Sequence, residues 1–295
     1  MLKNKITENL NHLKRNYLER NHLERNHLKN NQSKIMLIKL FGKHLKASGF
    51  RATPIILTLI AILATNFSKP VFVAVSGFVK ERKLPIYCVG TDEKKVAISF
   101  DAAWGADDTD ELLKILREND VKTTFFVCGY WVEKYADEVK KMYAEGHEIA
   151  NHSDTHAHVT QLNSEQNKKE IEGAHQKVKD LLGIEMNLYR PPYGEYNDTV
   201  LDAAEQMGYY TIQWDVDSHD WMKKGVEYEI NQVLNHKHLG NGSILLFHND
   251  TEDTPKALDT IIKGIKAKGF EIVKVSELIH KENYYLDHEG RQILK

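Results

Sequence analysis

The fold is first indicated by KVAISFD, Lys95 to Asp101, an apolar and β-prone run that ends on an aspartate. A loop of small residues, AAWG, follows at positions 102–105. In α/β enzymes, catalytic side chains stand at the carboxyl ends of parallel strands. Asp101 is therefore a candidate catalytic carboxylate. The next position is Ala102, which offers no second carboxylate to hold a metal ion.

Strand and helix patterns alternate from about Val89 to Leu278. Helical stretches such as DDTDELLKILREND (107–120), where Asp108 and Glu111 fit a capping box, separate the β-prone runs. The other β-prone runs include KTTFFVCG (122–129), YYTIQWDVD (209–217), GSILLFHND (242–250) and EIVKVSEL (271–278). This alternation predicts an α/β fold with a parallel sheet covered by helices. The number of units favours a barrel or partial barrel over a three-layer sandwich.

The composition is that of a soluble globular protein with a sizeable core: 295 residues, 41% hydrophobic and 28% charged. A formal net charge of -2 gives no electrostatic reason for nucleic-acid binding, and we predict no nucleic-acid partner. The two cysteines, Cys88 and Cys128, are too few for a disulfide framework. One bridge between them stays open at this stage.

The N-terminal region divides into two segments that differ in composition. Residues 11–30 form an imperfect five-residue repeat, and each such step rotates about 140° around a helix, so the leucines make no apolar face. We interpret residues 1–35 as a low-complexity tail, or as a segment that is not translated if the true start is Met36. Residues 36–79 then carry a basic stretch before an apolar run, which is typical of a secretory signal or a membrane anchor. A buried core helix is the alternative.

We therefore expect an exported protein, either secreted or anchored on the extracytoplasmic side, with membrane contact through this segment. Cleavage and anchoring both stay open, because the apolar run is shorter than the roughly 20 residues of a full span. The predicted organisation continues with a linker at 80–93, a catalytic domain at 94–280 and a C-terminal tail at 281–295.

The stretch NHSDTH (151–156) places His152 and His156 four positions apart, just beyond a predicted strand. On a helical turn this spacing would put both imidazoles on one face, where they could hold a Zn²⁺-like ion. The alternative is a pair of polar loop histidines. His147 is five positions from His152, which does not fit the HExxH zinc motif, and we interpret it as the start of a strand.

Three further stretches carry candidate groups. In RPPYG (190–194), Arg190 could orient a carboxylate through a bidentate pair, and the Tyr193 backbone N–H could face an oxyanion. In WDVDSHDW (214–221), Asp220 could raise the pKa of a histidine that serves as general acid. His248 ends the apolar run ILLFH, and Trp221 could pack or stack on a sugar. Each stretch alone fits a structural role equally well.

Together these residues favour metal-assisted hydrolysis. The sequence has no GxSxG nucleophile elbow, P-loop or dinucleotide-binding glycine pattern. In such a reaction a metal ion polarises a carbonyl, a carboxylate takes a proton from water, and a histidine protonates the leaving amine. The candidates come from five different strand ends: Asp101, His152, His156, Arg190, Asp220 and His248.

SFDAAWG, HSDTH, RPPYG, DSHDW and LLFH, in this order over Lys94 to Leu278, resemble the motifs of the polysaccharide deacetylase family, also called NodB-homology or carbohydrate esterase 4. The resemblance implies a distorted, incomplete (β/α) barrel that removes N-acetyl groups from polymers such as peptidoglycan or chitin. It implies a divalent metal, Zn²⁺ or Co²⁺. By the same resemblance, Asp101 is the general base, Arg190 orients it, and His152 and His156 are metal ligands. His248, tuned by Asp220, is the general acid. The Tyr193 backbone N–H binds the oxyanion, and Trp221 and Leu246 line the acetyl pocket.

One position departs from the family's first motif and leaves two interpretations of the function. The family usually has a second, metal-binding aspartate where this chain has Ala102. The FDxxWG form with a basic, apolar N-terminus is similar to the sporulation-associated branch of Gram-positive bacteria. We expect a weakly bound metal, with Asp107 or Asp108 folding back to help. The favoured hypothesis is an active peptidoglycan deacetylase of wall or spore; the alternative is a catalytically impaired glycan-binding or morphogenetic protein. A glycoside hydrolase using Asp101 and Asp220 is disfavoured by the histidine pair.

Overall fold

A parallel β-sheet forms the centre of residues 83–295, which are the part of the chain that the structure, a computed structural model, describes. Its strands are β2 (Lys95–Ala102), β3 (Thr124–Val127), β4 (Glu148–Asn151), β5 (Leu188–Tyr189), β6 (Tyr210–Thr211), β7 (Val216–Asp217), β8 (Ile244–His248) and β9 (Glu271–Val273). Every strand pair in this sheet is parallel, and the strand order is β6-β5-β4-β3-β2-β8-β7, with β9 also paired to β2.

Eight helices follow the strands among the described residues. They are α1 (Thr109–Glu118), α2 (Gly129–Lys134), α3 (Ala136–Ala144), α4 (Ser164–Leu182), α5 (Asp198–Gln206), α6 (Val226–Leu234), α7 (Thr254–Ala267) and α8 (Val275–Leu278). Strand β2 is buried at seven of its eight positions, as expected for a parallel strand covered on both faces. The sheet curls into a half barrel that carries helices, so the predicted α/β fold with a distorted, incomplete barrel is confirmed.

The two faces of the sheet carry different cores. Phe100 and Phe125 stack with ring centroids 5.1 Å apart in the larger apolar cluster, which also holds apolar residues from most of the helices. Phe126 and Ile244 belong to a second, smaller cluster. Because side chains alternate along a strand, Asp101 leaves β2 on the face opposite Phe100. Register then pairs Asp101 with Phe126 on one side and His248 on the other, which gathers polar groups at the carboxyl edge.

A small second sheet lies where we expected a linker and a tail. It joins β1 (Cys88–Val89) in parallel to β11 (Arg291–Leu294), which forms an antiparallel hairpin with β10 (Tyr284–Leu286). Isolated bridges from Ile86 to Ile212 and from Cys88 to Ser243 link the β1 segment to the main sheet. The described part of the expected linker, residues 83–93, and the expected tail, 281–295, therefore both contribute strands to the same compact unit.

The predicted tail at 1–35 and the signal or anchor at 36–79 lie outside the described residues. Within residues 83–295, no helix has the length and apolar character needed to cross a bilayer. Cys88 and Cys128 are both buried free thiols, which answers the disulfide question left open by the sequence.

Candidate active site

Asp101 stands at the carboxyl end of β2 and is held by an arginine. One terminal nitrogen of Arg190 donates to Asp101 Oδ1 at 2.7 Å, and the other donates to Ser99 Oγ at 2.9 Å. The predicted orientation is therefore present, but the guanidinium is shared among Asp101, Ser99 and the Gln213 carbonyl oxygen and is not bidentate on Asp101. Arg190 is fully buried, with its guanidinium carbon 4.0 Å from the centre of the Phe126 ring.

This pairing keeps Asp101 ionised. Burial alone would raise the pKa of Asp101, but the charge and hydrogen bond of Arg190, helped by the charge of His248, outweigh it and hold the pKa below its usual value. A carboxylate in this state can accept a proton at neutral pH. It is thus suited to act as a general base.

His152 and His156 lie side by side, with ring centroids 5.1 Å apart. The predicted helical turn is wrong: both residues lie in a loop, where Ser153 has φ 72° and His156 has φ 56°. Left-handed backbone at non-glycine residues often marks functional loops. The two imidazoles meet because the loop bends back, and not because they share a helix face.

Both imidazoles are neutral and hence able to bind a cation. Burial lowers the pKa of His152, and burial together with the neighbouring His152 lowers the pKa of His156 to about 4. His152 Nδ1 lies 2.7 Å from the Arg190 carbonyl oxygen, which can only accept, so Nδ1 carries the proton and Nε2 presents its lone pair. Nε2 is 3.5 Å from Asp101 Oδ2 and therefore faces the site.

His248 and Asp220 form the third part of the site. His248 Nδ1 donates to Asp220 Oδ1 at 2.7 Å, and the His248 backbone N–H donates to Asp220 Oδ2 at 2.6 Å. Burial opposes the charged form of His248, but the hydrogen bond and charge of Asp220 outweigh it and raise the pKa of His248. The imidazolium is thus favoured, with Nε2 left to donate a proton.

The predicted substrate residues lie around these groups. Trp221 is 55% exposed, and its backbone N–H donates to Asp220 Oδ1 at 2.7 Å. Leu246 is buried two residues before His248, so both side chains leave β8 on the same face. Tyr193 is exposed, has φ 59°, and stacks on His158 while its ring edge meets His156. The structure therefore brings all nine predicted site residues to one edge of the sheet.

Comparison with known proteins identifies the family. A family model for polysaccharide deacetylases matches residues 89–212. A peptidoglycan-N-acetylmuramic acid deacetylase of Bacillus subtilis is 31% identical over 204 residues, which is 68% of this chain and 77% of that protein. A peptidoglycan-N-acetylglucosamine deacetylase of Bacillus cereus is 35% identical over 196 residues, 65% of this chain and 91% of that protein.

The chain belongs to the polysaccharide deacetylase family. Among solved structures, this deacetylase-family chain is similar to a CE4 family pseudoenzyme of Bacillus anthracis, with a TM-score of 0.64 and 28% identity over 71% of this chain and 70% of that one. A mutant of that pseudoenzyme with restored enzymatic activity matches equally well, at the same TM-score and identity. Family membership therefore establishes the fold and a hydrolase framework for amide bonds, while activity has to be argued from the site.

The donor set of this family member fits a divalent cation. His156 Nδ1 is buried and has no hydrogen-bond partner within residues 83–295. One group of three potential ligands occurs in this part of the chain, Cys128, His152 and His156, with ligand atoms all within 4.8 Å of one another. The expected help from Asp107 or Asp108 is not seen: neither belongs to this group, and Asp108 Oδ2 accepts from the Thr251 backbone N–H at 3.3 Å.

Sequence reasoning missed two residues beside the site. Cys128 follows β3 directly, so a strand-end position was visible, but its pairing with the histidines depends on the fold. Burial, with nearby carboxylates, raises the pKa of the Cys128 thiol well above its usual range. Glu229 on α6 is also buried; burial and the charge of Asp220 raise its pKa to about 8. No local pattern in the sequence marks Glu229.

Proposed function

We propose that the protein is an active, metal-dependent N-deacetylase of amino-sugar polymers, with peptidoglycan of the cell wall or spore as substrate. One observation carries the proposal: the ionised Asp101 faces the Asp220-supported His248 across adjacent strands. Two neutral imidazoles lie beside them. The curated relatives that act on N-acetylmuramic acid and N-acetylglucosamine support the substrate class but leave the sugar open.

Each side chain has a role in amide hydrolysis. His152 and His156 would hold a divalent cation, which would supply charge to polarise the acetyl carbonyl and acidify water. Asp101 takes a proton from the attacking water while Arg190 stabilises its ionised form. The Tyr193 backbone N–H faces the developing oxyanion. His248 then gives the proton on Nε2 to the leaving amine, and Trp221 and Leu246 border the acetyl methyl group.

Asp101 and Asp220 do not suit the glycoside hydrolase alternative. Asp101 is ion-paired to Arg190, and Asp220 accepts from the backbone N–H and the ring Nδ1 of His248. Glycosidases need one protonated carboxyl beside the glycosidic oxygen. Both oxygens of Asp220 already accept hydrogen bonds, and Asp101 is held by Arg190, so neither group is placed to take that role.

The second candidate function is glycan binding without turnover, favoured by Ala102 and by the pseudoenzyme of similar structure. The deciding experiment uses the full chain, supplied with Zn²⁺ or Co²⁺ and incubated with N-acetylated peptidoglycan fragments. The enzyme hypothesis expects acetate release that Asp101→Asn abolishes while glycan binding persists. Glycan binding with no acetate released by the unsubstituted protein would establish the impaired alternative.

We also propose export, with residues 36–79 as a signal or membrane anchor, whether translation starts at Met1 or at Met36. The support is the basic stretch followed by an apolar run. Fractionation of a spore-forming Gram-positive host, with mass spectrometry of the mature N-terminus, tests this. Protein recovered only from the cytoplasm with residues 1–35 attached would contradict it.

A further inference from the structure

Ala102 leaves a gap in the donor set, and the nearest unused donor comes from the neighbouring strand. Ala102 pairs in register with Val127 of β3, and the next residue, Cys128, donates its backbone N–H to the Ala102 carbonyl oxygen at 3.1 Å. Both side chains are completely buried in the same cluster. Cys128 therefore stands beside the position from which the family's second aspartate would extend.

The Cys128 thiol points toward the histidine loop, the segment 152–156 that carries His152 and His156. Its Sγ donates to the His152 carbonyl oxygen at 3.2 Å, and no other hydrogen bond of this thiol occurs within residues 83–295. The sulfur and the imidazole nitrogens of His152 and His156 lie within 4.8 Å of one another. In a tetrahedral zinc site, bonds of about 2.3 Å to sulfur and 2.0–2.1 Å to nitrogen place such atoms roughly 3.5 Å apart. These atoms would therefore have to approach one another by at most about 1.3 Å to form a coordination shell.

Both histidines are prepared for such a shell. The Arg190 carbonyl fixes the proton of His152 on Nδ1, as outer partners of metal-binding histidines commonly do. His156 has a buried Nδ1 without a partner among the described residues. Three protein ligands of nitrogen and sulfur with a fourth position open is a known arrangement of catalytic zinc. Thiolate ligands also favour zinc over magnesium, calcium or manganese.

We infer that Cys128 is the third protein ligand of the metal site and replaces the carboxylate that is absent at position 102. The inference rests on the proposed metal-dependent function and adds to it a His₂Cys donor set selective for zinc-like ions. On binding, the S–H bond breaks, a sulfur–metal bond forms, and one proton passes to solvent. The site would then hold three protein ligands despite Ala102.

Cobalt spectroscopy of the full chain tests this assignment without relying on turnover. Co²⁺ bound to a thiolate gives a sulfur-to-cobalt charge-transfer band in the near ultraviolet, which two histidines and water do not give. We expect one equivalent of Co²⁺ with this band, and its loss in Cys128→Ser together with at least a tenfold weaker zinc affinity. Cys88→Ser is the matched control, because Cys88 is also a buried free thiol but lies in β1; its band should be unchanged.

Three results would overturn the inference: cobalt bound without the band, no metal bound at all, or unchanged zinc affinity in Cys128→Ser. The first measurement needs no substitution, so a variant that fails to fold cannot obscure it. Acetate release, followed separately, distinguishes the two proposals. A thiolate band without acetate release would refute the enzyme and keep the ligand, whereas acetate release without the band would refute the ligand and keep the enzyme.

Discussion

At the scale of single residues, the site moves the pKa values of two neighbouring groups apart, because each group has a partner of opposite charge. Arg190 keeps the pKa of Asp101 low, and Asp220 keeps the pKa of His248 high. The two residues are paired in register on adjacent strands. Environments that move neighbouring pKa values apart assign the base and the acid of a hydrolase. A base and an acid can therefore coexist in their working protonation states across the neutral range.

Asp220→Asn should shift the alkaline limb of the pH–rate profile to lower pH. The amide removes the charge that raises the pKa of His248, so the imidazolium loses its proton earlier as pH rises. The acid limb, set by Asp101, should not move. The measurement is kcat/KM for acetate release across pH. Asp259→Asn is the control, because Asp259 is a partly exposed carboxylate on α7 that is ion-paired to Lys263. An unmoved alkaline limb in Asp220→Asn would contradict the role of Asp220.

Arg190→Met should destabilise the protein by about 3–5 kcal/mol near neutral pH, because it leaves the buried Asp101 carboxylate unpaired. The folded-state pKa of Asp101 lies below its usual value of 3.8, so the ion pair stabilises the fold above that pH and is lost as pH falls. Urea unfolding at several pH values measures the effect. The double variant with Asp101→Asn should recover part of the loss; equal loss in single and double variants would refute the pairing.

Some residues of the site could be predicted from the local sequence, and others could not. Asp101, His152, Arg190 and His248 were predictable because polar residues at the ends of apolar runs mark strand ends, and Asp220 follows such an end by three positions. Cys128 and Glu229 were not, because a cysteine or glutamate in an ordinary strand or helix pattern has no local signature. Their proximity to His152 and His156 and to Asp220, respectively, arises from strand register and helix packing.

At the scale of elements, the histidine loop is positioned by two glycines and the start of α2. The Gly129 and Tyr130 backbone N–H groups donate to the carbonyls of Ser153 and Asp154 at 3.0 Å each. The Asp154 side chain lies against Gly129 and Gly173. These contacts fix the start of the loop in which Ser153 and His156 have positive φ values. No residue type in NHSDTH predicts this backbone conformation, which explains why the predicted helical turn was wrong.

Gly129→Ala should reduce metal affinity. A Cβ at this position would lie 1.9 Å from Asp154 Oδ1 and 3.1 Å from its backbone Cα, so the loop that carries both histidines must shift. Zinc titration of the full chain measures the loss. Gly240→Ala is the matched control, because its Cβ would meet nothing closer than 3.7 Å. Equal affinity in both variants would show that the loop tolerates displacement.

Helix caps show the same limit of local patterns. The box expected from Asp108 and Glu111 is absent at α1, where Asp108 makes no capping bond and its carboxylate binds Thr251 instead. A full capping box occurs at α4, between Asn163 and Gln166, with Gly183 closing the other end at φ 71°. Spacing identifies residues able to cap. Tertiary partners decide which of them do so.

At the scale of the whole described unit, the alternation of strands and helices was enough to predict the curled parallel sheet. It was not enough for the second sheet, because residues 281–295 are largely polar and carry no clear period. Their order comes from pairing: Cys88 and Val89 align with Arg291 and Gln292. Gln292 is completely buried and exchanges two hydrogen bonds with the His280 backbone.

Removing residues 281–295 should therefore destabilise the protein while leaving every site residue in place. The deletion unpairs β1 and leaves the polar backbone of His280 without its partner. With net contributions of about 0.5–1.5 kcal/mol for each lost hydrogen bond, the expected loss is on the order of 2–5 kcal/mol. Urea unfolding of the full and shortened chains gives the difference.

Tyr285→Ala separates pairing from surface effects in that experiment, since Tyr285 lies on the same hairpin and is 50% exposed. It should leave the unfolding midpoint near that of the full chain. Acetate release by the shortened chain, measured well below its unfolding midpoint, should persist, because the hairpin supplies no group to the carboxyl edge of the main sheet. Unchanged stability on deletion would mean that β1 keeps its place through the Ile86 and Cys88 bridges alone.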